Sequence, residues 1–196
     1  MQVLEWGALE RVQEHFADIA ISICNAGDEV SPQLFVVRAN SQGRVVKMVS
    51  LAPQTVEVFF GNDAGKDAFG PFVKELLTEG SVIRTKFVKE LGFEPNVFVQ
   101  VNEAWAAAPS ELEEYADGRI NGLTPSQHPN REEILMVTLH LPAMSIPVLH
   151  RIVDKPKRHA VKGVFPSQAE ARNFAGRLTM QDAFGAETGS ADDTSA

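Results

Sequence analysis

The sequence predicts an α+β fold in which a mostly antiparallel sheet is covered by helices. Apolar residues recur at helical spacing in residues 9–23 and again in residues 69–77. Between and after these segments, strand-like segments follow one another across short turns. Short turns between successive strands are typical of antiparallel pairing. The predicted order is α-βββ-α-ββββ-α, in a single domain over residues 1–185, followed by a disordered acidic tail over residues 186–196.

Four segments are predicted to be helical. The first has an apolar stripe and a stop at Gly27; the stripe is Leu9, Val12, Phe16, Ile19 and Ile23. The second has its apolar face at Phe69, Phe72, Val73, Leu76 and Leu77, with Pro71 in its first turn. Residues 81–91 fit a helix or a strand, and we interpret them as a helix ended by Gly92. The last helix begins with the capping box Ser167–Glu170.

Seven segments are predicted to be strands, because apolar and polar residues alternate along them or because they are rich in strand-forming residues. They are residues 34–39, 44–51, 55–60, 96–105, 133–141, 145–153 and 158–165. Turn-forming residues separate several neighbouring segments, among them the run from Asn40 to Gly43.

Charge and cysteine content limit the possible classes of protein. The net charge is −8 and the pI about 5.1, which disfavours non-specific binding to nucleic acid or to anionic membranes. A single cysteine, Cys24, excludes an internal disulfide and suits a reducing compartment. The first residues lack the pattern of a signal peptide, and no apolar run is long enough to span a membrane. We therefore expect a cytoplasmic protein, or one in the host cytoplasm if it is encoded by a phage.

One strand carries an acidic residue in an apolar row. Along residues 97–105, alternation places Glu103 on the same face as a series of valines. If this strand pairs with residues 133–141 so that Val99 faces Leu135, then Glu103 faces Arg131. The sequence therefore predicts an ion pair between Glu103 and Arg131, which would clamp the base of the intervening loop.

The loop between these strands, residues 106–130, is long for a compact domain. It contains Tyr115 and His128, and Trp105 stands at its start. Long loops are functional or disordered, so both a binding loop and a solvated insertion are open interpretations.

A resemblance arises from the residues on either side of this loop. The segment Asn102-Glu103-Ala104-Trp105, followed by His128-Pro129-Asn130-Arg131-Glu132-Glu133, resembles a pattern in small uncharacterised bacterial and phage proteins. The resemblance covers about a fifth of the chain and implies a prokaryotic or phage origin. Those proteins have no assigned activity, so the resemblance implies no catalytic residues.

Several kinds of chemistry find little support. Gly61 to Asp67 has the wrong glycine spacing for a phosphate-binding loop, and Glu57-Val58-Phe59 lacks the lysine of a nuclease motif. The histidines show no metal-binding spacing, although His140 and His150 on neighbouring strands could approach each other. Cys24 near the end of a helix is a poor nucleophile. We predict no metal and no cofactor.

Three hypotheses remain from the sequence. The first is a non-enzymatic protein-interaction module that binds a protein partner; its predicted binding residues are Glu103, Trp105, Tyr115, His128, Arg131 and Glu132. The second is a ligand-binding protein or hydrolase-type enzyme in which Glu103 is the general base and Arg131 the anion clamp. The third is a structural homo-oligomer or virion component, which the apolar sheet face and the strand edges would mediate; the oligomeric state is open.

Overall fold

The structure, a computed structural model, describes residues 4–61, 63–107, 115–116, 119–154 and 157–168. The helices are α1 (Trp6–Ala26), α2 (Pro53–Phe60), α3 (Asp63–Leu77) and α4 (Val82–Leu91), with a short 3-10 helix at Pro125–Gln127. The strands are β1 (Gln33–Ala39), β2 (Val45–Ser50), β3 (Val97–Ala106), β4 (Tyr115–Ala116), β5 (Arg119–Ile120), β6 (Glu132–Leu141), β7 (Met144–Val153) and β8 (His159–Val161).

The main sheet has six strands in the order β2-β1-β3-β6-β7-β8, and every neighbouring pair is antiparallel. Strands β4 and β5 form a separate hairpin within the loop that joins β3 to β6. The predicted α+β fold with an antiparallel sheet is confirmed. The prediction of one domain over residues 1–185 extends beyond the described residues and stays a prediction.

Helices cover both faces of this sheet, and strand alternation divides the apolar residues between them. The face toward α1 contains Val97, Val99, Val101, Leu135, Val137 and Ile146, packed on Leu9, Val12, Phe16 and Ala20. The face toward α2–α4 contains Leu34, Val36 and Phe98, packed on Phe59, Phe69, Val73 and Leu76. The chain therefore has two apolar cores with the sheet between them.

The third predicted strand, residues 55–60, is wrong because this segment is helix α2. Apolar residues at alternate positions suggested a strand, but the helix buries Val56 and Phe59, three residues apart, and leaves Val58 exposed. Pro53 stands in the first turn of α2, where its missing N–H costs nothing.

Helix α3 begins earlier than predicted, so that Pro71 lies inside the helix and not in its first turn. The stretch that resembled a phosphate loop is a junction of two helices. A Cβ on Gly65 would lie 2.0 Å from the carbonyl oxygen of Val58, so Gly65 allows α3 to approach α2 closely.

Other predicted ends are confirmed. Helix α1 stops at Gly27, which has a positive φ of 99°. Residues 82–91 form α4, and the Ser81 hydroxyl oxygen accepts the N–H of Arg84 at its start. Residue Gln168 is helical, as the capping box predicts, while the rest of that helix and the predicted tail lie outside the described residues.

None of the described helices combines the length and the apolar character that crossing a membrane would require.

The turn between β1 and β2 yields a stability prediction. Gly43 has φ 80°, and a Cβ there would lie 2.2 Å from the carbonyl oxygen of Ala8 in α1. We expect Gly43→Ala to lower the free energy of unfolding by about 3 kcal/mol, since backbone strain and a clash add together. Gly27 also has a positive φ but open space around it, so Gly27→Ala should cost only about 1 kcal/mol. Equal losses in urea unfolding would contradict this account.

Candidate functional site

Strands β3 and β6 pair four residues away from the predicted register. Val99 lies opposite Leu139 and not Leu135, and Glu103 lies opposite Leu135. A shift by an even number keeps every side chain on its predicted face, so the alternation alone could not detect the error. The predicted ion pair between Glu103 and Arg131 is therefore wrong.

Glu103 instead pairs with an arginine from the far end of the chain. Its Oε2 accepts Arg158 Nη2 at 2.7 Å, and its Oε1 accepts the backbone N–H of Val30 at 2.8 Å. The same Arg158 nitrogen donates to Oε1 of Glu133 at 3.0 Å. We call Arg158, Glu103 and Glu133 the Arg158 clamp. It joins β3, β6 and the segment before β8.

The Arg158 clamp also holds the end of α1. Arg158 Nη1 donates to the carbonyl oxygen of Asp28 at 3.0 Å and lies 3.7 Å from Cys24 Sγ. The side chains of Arg158, Glu103 and Glu133 are 20%, 12% and 26% exposed. The hydrogen bond that Arg158 donates to Glu103 raises the pKa of Arg158, which therefore stays charged.

This geometry bears on the enzymatic hypothesis. Both oxygens of Glu103 are engaged by Val30 and Arg158, and Arg131 does not reach Glu103, so the proposed base and anion clamp do not come together. Burial raises the pKa of Cys24, which outweighs the opposing effect of Arg158 and keeps the thiol protonated. The Glu103 carboxylate is therefore occupied by structural contacts, and the Cys24 thiol is not an activated nucleophile.

Trp105 and Arg131 form the exposed part of the predicted site. The Arg131 guanidinium carbon lies 4.9 Å from the Trp105 ring centre, and the Trp105 side chain is 44% exposed. We call this pair the Trp105 surface. It stands at the end of β3, where Trp105 lies opposite Glu133 of the Arg158 clamp.

Of the other predicted site residues, His128 lies in the turn before Arg131, and its carbonyl oxygen accepts the Arg131 backbone N–H at 3.2 Å. Glu132 is exposed, faces away from Trp105 by strand alternation, and its carboxylate lies 3.7 Å from Arg151. His128 is buried, and its Nδ1 accepts the N–H of Asn130 at 3.2 Å. Tyr115 lies in β4 opposite Ile120. The structure thus brings Trp105 and Arg131 together, while Glu132 lies on the opposite face of the sheet.

A chain of buried polar side chains on the opposite face of the sheet was not predicted. Asn102 Nδ2 donates to the carbonyl oxygen of Glu103 at 3.0 Å, and Gln100 Nε2 donates to Asn102 Oδ1 at 2.8 Å. His140 Nε2 lies 3.1 Å from Gln100 Oε1, and His140 Nδ1 lies 2.8 Å from Ser145 Oγ. The signal for this chain was present in the alternate polar residues of β3.

The direction of every bond in this chain is fixed. The carbonyl of Glu103 can only accept, so Gln100 presents its oxygen to His140. His140 must then carry its proton on Nε2 and accept the Ser145 hydroxyl at Nδ1. We call these four residues, Ser145, His140, Gln100 and Asn102, the polar chain.

Ser145, His140 and Gln100 have the connectivity of a nucleophile, a base and an orienting group. Their burial speaks against that use, because His140 and Gln100 are completely buried and Ser145 is 1% exposed. Burial also lowers the pKa of His140 to about 3, so it is a very weak base. The polar chain therefore has a structural role, in which its hydrogen bonds fix how the buried strands pair.

The two strand histidines do not form a shared site. His140 packs on Phe69, beneath α3, while His150 lies 3.2 Å from Gln13 of α1 on the opposite face. Among the described residues, no group of three His, Cys, Asp or Glu side chains is placed to hold a metal ion.

The larger surface clefts formed by the described residues lie outside the predicted site. One, of about 840 Å³, is lined by Arg11, His15 and Arg44 beside the β1–β2 turn. The other, of about 700 Å³, is mainly apolar and includes Trp6 and Met144. Their residues come from distant parts of the chain, so no local motif marked them in the sequence.

The Arg158 clamp gives a direct test of the observed register. Arg158→Ala leaves Glu103 and Glu133 close together without their cation, and we expect a loss of about 3 kcal/mol in the free energy of unfolding. Arg131→Ala removes only an exposed contact with Trp105 and should cost less than about 1 kcal/mol. If Arg131→Ala proved the more damaging variant in urea unfolding, the predicted register would be reinstated.

Buried neutral histidines predict acid sensitivity. Burial lowers the pKa of His140 to about 3 and of His150 to about 4, below the value of about 6.5 in an unfolded chain. Their stabilisation is therefore complete above about pH 6.5 and lost as pH falls toward the folded values. Between pH 7 and pH 5, urea unfolding should show a loss of about 2 kcal/mol for each histidine.

Two glutamine variants separate this effect from general acid sensitivity. His150→Gln should remove about half of the pH-dependent loss, because one of two titrating groups is gone. The matched control His15→Gln replaces an exposed histidine and should leave the loss intact. A loss of the same size in the His150→Gln and wild-type proteins would refute the assignment.

Comparisons with protein-family models, with curated proteins and with solved structures found no match to this chain. The resemblance of the segments around Trp105 and Arg131 to small bacterial and phage proteins therefore stays a prediction. The function has to be inferred from the geometry of the described residues.

Proposed function

We propose that the protein is a protein-interaction module whose contact site is the Trp105 surface. The observation that carries this proposal is the 44% exposure of Trp105, held at a strand end and stacked by Arg131. A large aromatic side chain that stays exposed to water does not contribute the stabilisation that its burial would give the fold. Tryptophan and arginine are also the residue types that most often dominate binding energy at protein interfaces.

Rigidity of the Trp105 surface supports a binding role. Trp105 belongs to β3, two residues beyond Glu103 of the Arg158 clamp, and its cross-strand neighbour Glu133 belongs to the same clamp. Because Arg158 holds both glutamates, the strand segments on either side of Trp105 are anchored before a partner binds. Preorganised contacts of this kind raise affinity by lowering the entropy cost of association.

The chemistry of the Trp105 surface indicates what a partner must supply. The indole offers an apolar area, and Arg131 offers a planar fork of donors directly over it. A complementary partner presents an apolar or aromatic side chain beside a carboxylate, which can accept two hydrogen bonds from Arg131. The opposing face of β6, where Glu132 meets Arg151, is separate from this contact.

Photo-crosslinking tests the proposal. A photoreactive amino acid is placed at Asn130, an exposed position next to Arg131, and the protein is irradiated in bacterial lysate. We expect a discrete adduct with a partner protein that is lost in Trp105→Ser and in Arg131→Ala, because each removes half of the contact. The same group at Val82, exposed on α4, should give no such adduct.

Glu132→Gln is the matched control, because it neutralises a neighbouring charge that faces the other way. It should keep the adduct, and circular dichroism must show that all variants are folded. Loss of the adduct with Glu132→Gln alone, or its persistence in Trp105→Ser, would place the contact elsewhere. An adduct of two copies of this chain would point to self-association at this surface instead.

A further inference from the structure

Strand β2 is an edge of the sheet whose side chains are poorly covered. In the part of the chain that the structure describes, β2 pairs with β1 only, and residues 46–50 are all exposed. Three of them are large and apolar, namely Val46, Met48 and Val49. The opposite edge, β8, is only three residues long, and short edge strands are a usual protection against further pairing. Strand β2 lacks that protection.

The hydrogen-bond pattern shows which backbone groups β2 offers. The N–H of Leu51 donates to the carbonyl oxygen of Leu34 at 2.8 Å, so this pair is one of the hydrogen-bonded pairs of the ladder. Since such pairs alternate, Val49 bonds to β1, whereas Met48 and Ser50 point their N–H and C=O groups outward. The free edge therefore presents two donors and two acceptors.

A bulge limits the flat part of this edge. Lys47 lies opposite Arg38, but the next pair is Val45 with Ala39, so Val46 has no partner on β1. The flat part runs from Lys47 to Leu51, and its centre is Val49.

Lys47, the one charged residue of β2, is not positioned to prevent another strand from pairing with this edge. Lys47 Nζ lies 5.9 Å from the Phe93 ring centre, which holds the ammonium over the α2–α4 side of its own sheet. Proline, which commonly blocks edge pairing, does not occur among residues 45–50.

We infer that β2 pairs with β2 of a second copy of this chain, antiparallel about a two-fold axis at Val49. In this register Met48 faces Ser50 of the other copy, and the reverse, so the outward groups of both residues are all paired. The two Val49 side chains meet in the close non-hydrogen-bonded pair. Lys47 lies opposite Leu51 of the other copy, so the two lysines do not face each other. The contact is isologous, joining the two sheets into one.

The strand's own pattern suits a second copy, because one two-fold register pairs its flat segment with itself. A two-fold at Lys47 would set two lysines directly opposite, which is destabilising, and a two-fold at Met48 would draw the bulged Val46 into the ladder. Only the Val49 register pairs the flat segment with itself. Because edge pairing alone buries less than the roughly 800 Å² per partner of a standard interface, we expect a reversible dimer.

This dimer goes beyond the proposed interaction site. The Trp105 surface lies at the end of β3, two strands away from the β2 edge, and would be present twice in the dimer. Two copies of one site on a single particle raise the apparent affinity for a partner that is itself repeated.

Disulfide trapping tests the register. Val49→Cys places two thiols in the close pair across the axis, where the Cα separation suits a disulfide. Val46→Cys is the matched control on the same strand and is exposed, but in this register the two copies of residue 46 lie far apart. Under mild oxidation we expect Val49→Cys to form a covalent dimer at least about tenfold faster than Val46→Cys.

A proline variant tests the pairing without touching β1. The Ser50 N–H points outward, so Ser50→Pro removes an edge donor and leaves the bonds to β1 in place. In sedimentation over a wide concentration range, the wild-type protein should show a monomer–dimer equilibrium and Ser50→Pro only monomer, with unchanged circular dichroism. The inference is overturned if the wild type remains monomeric throughout, if folded Ser50→Pro still dimerises, or if Val46→Cys crosslinks as fast as Val49→Cys.

Discussion

The Arg158 clamp is the interaction on which the rest of the structure depends. One guanidinium joins carboxylates of two adjacent strands and a backbone carbonyl beyond the end of α1. Each of these segments is distant from Arg158 in sequence, so the contacts close the fold. A partly buried charge of this kind is stable only while its partners are all present. The same clamp sets the position of Trp105, so the fold and the proposed contact site share one support.

The polar chain explains why β3 and β6 take the observed register. The apolar rows of both strands would tolerate several even shifts, since each keeps valines and leucines on the α1 face. Moving β6 by four residues, as the alternation alone suggested, would separate His140 from Gln100 and leave buried polar groups without partners. The cost of such groups is high enough to choose between registers that packing alone leaves nearly equal.

Much of the fold could be predicted because it follows from local patterns. The stripe of α1, the glycine that ends it and the alternation of β3 are properties of neighbouring residues. Helix α2 was mistaken for a strand because eight residues of mixed apolar sequence satisfy both periods. The partner of Glu103 could not be predicted, because Arg158 stands 55 residues away in sequence and no local pattern links the two residues.

The groups that are available for function are those that the core does not bind. Glu103 and Glu133 are both paired with Arg158, and Ser145 and His140 are buried in a hydrogen-bonded chain that fixes a neutral imidazole. The residue types that suggested chemistry in the sequence are thus occupied in holding the sheet together. Trp105 and the edge of β2 are different, because the fold leaves apolar area and backbone hydrogen-bonding groups in water there. Such groups gain most from a second protein surface, which supports the interaction site that we propose.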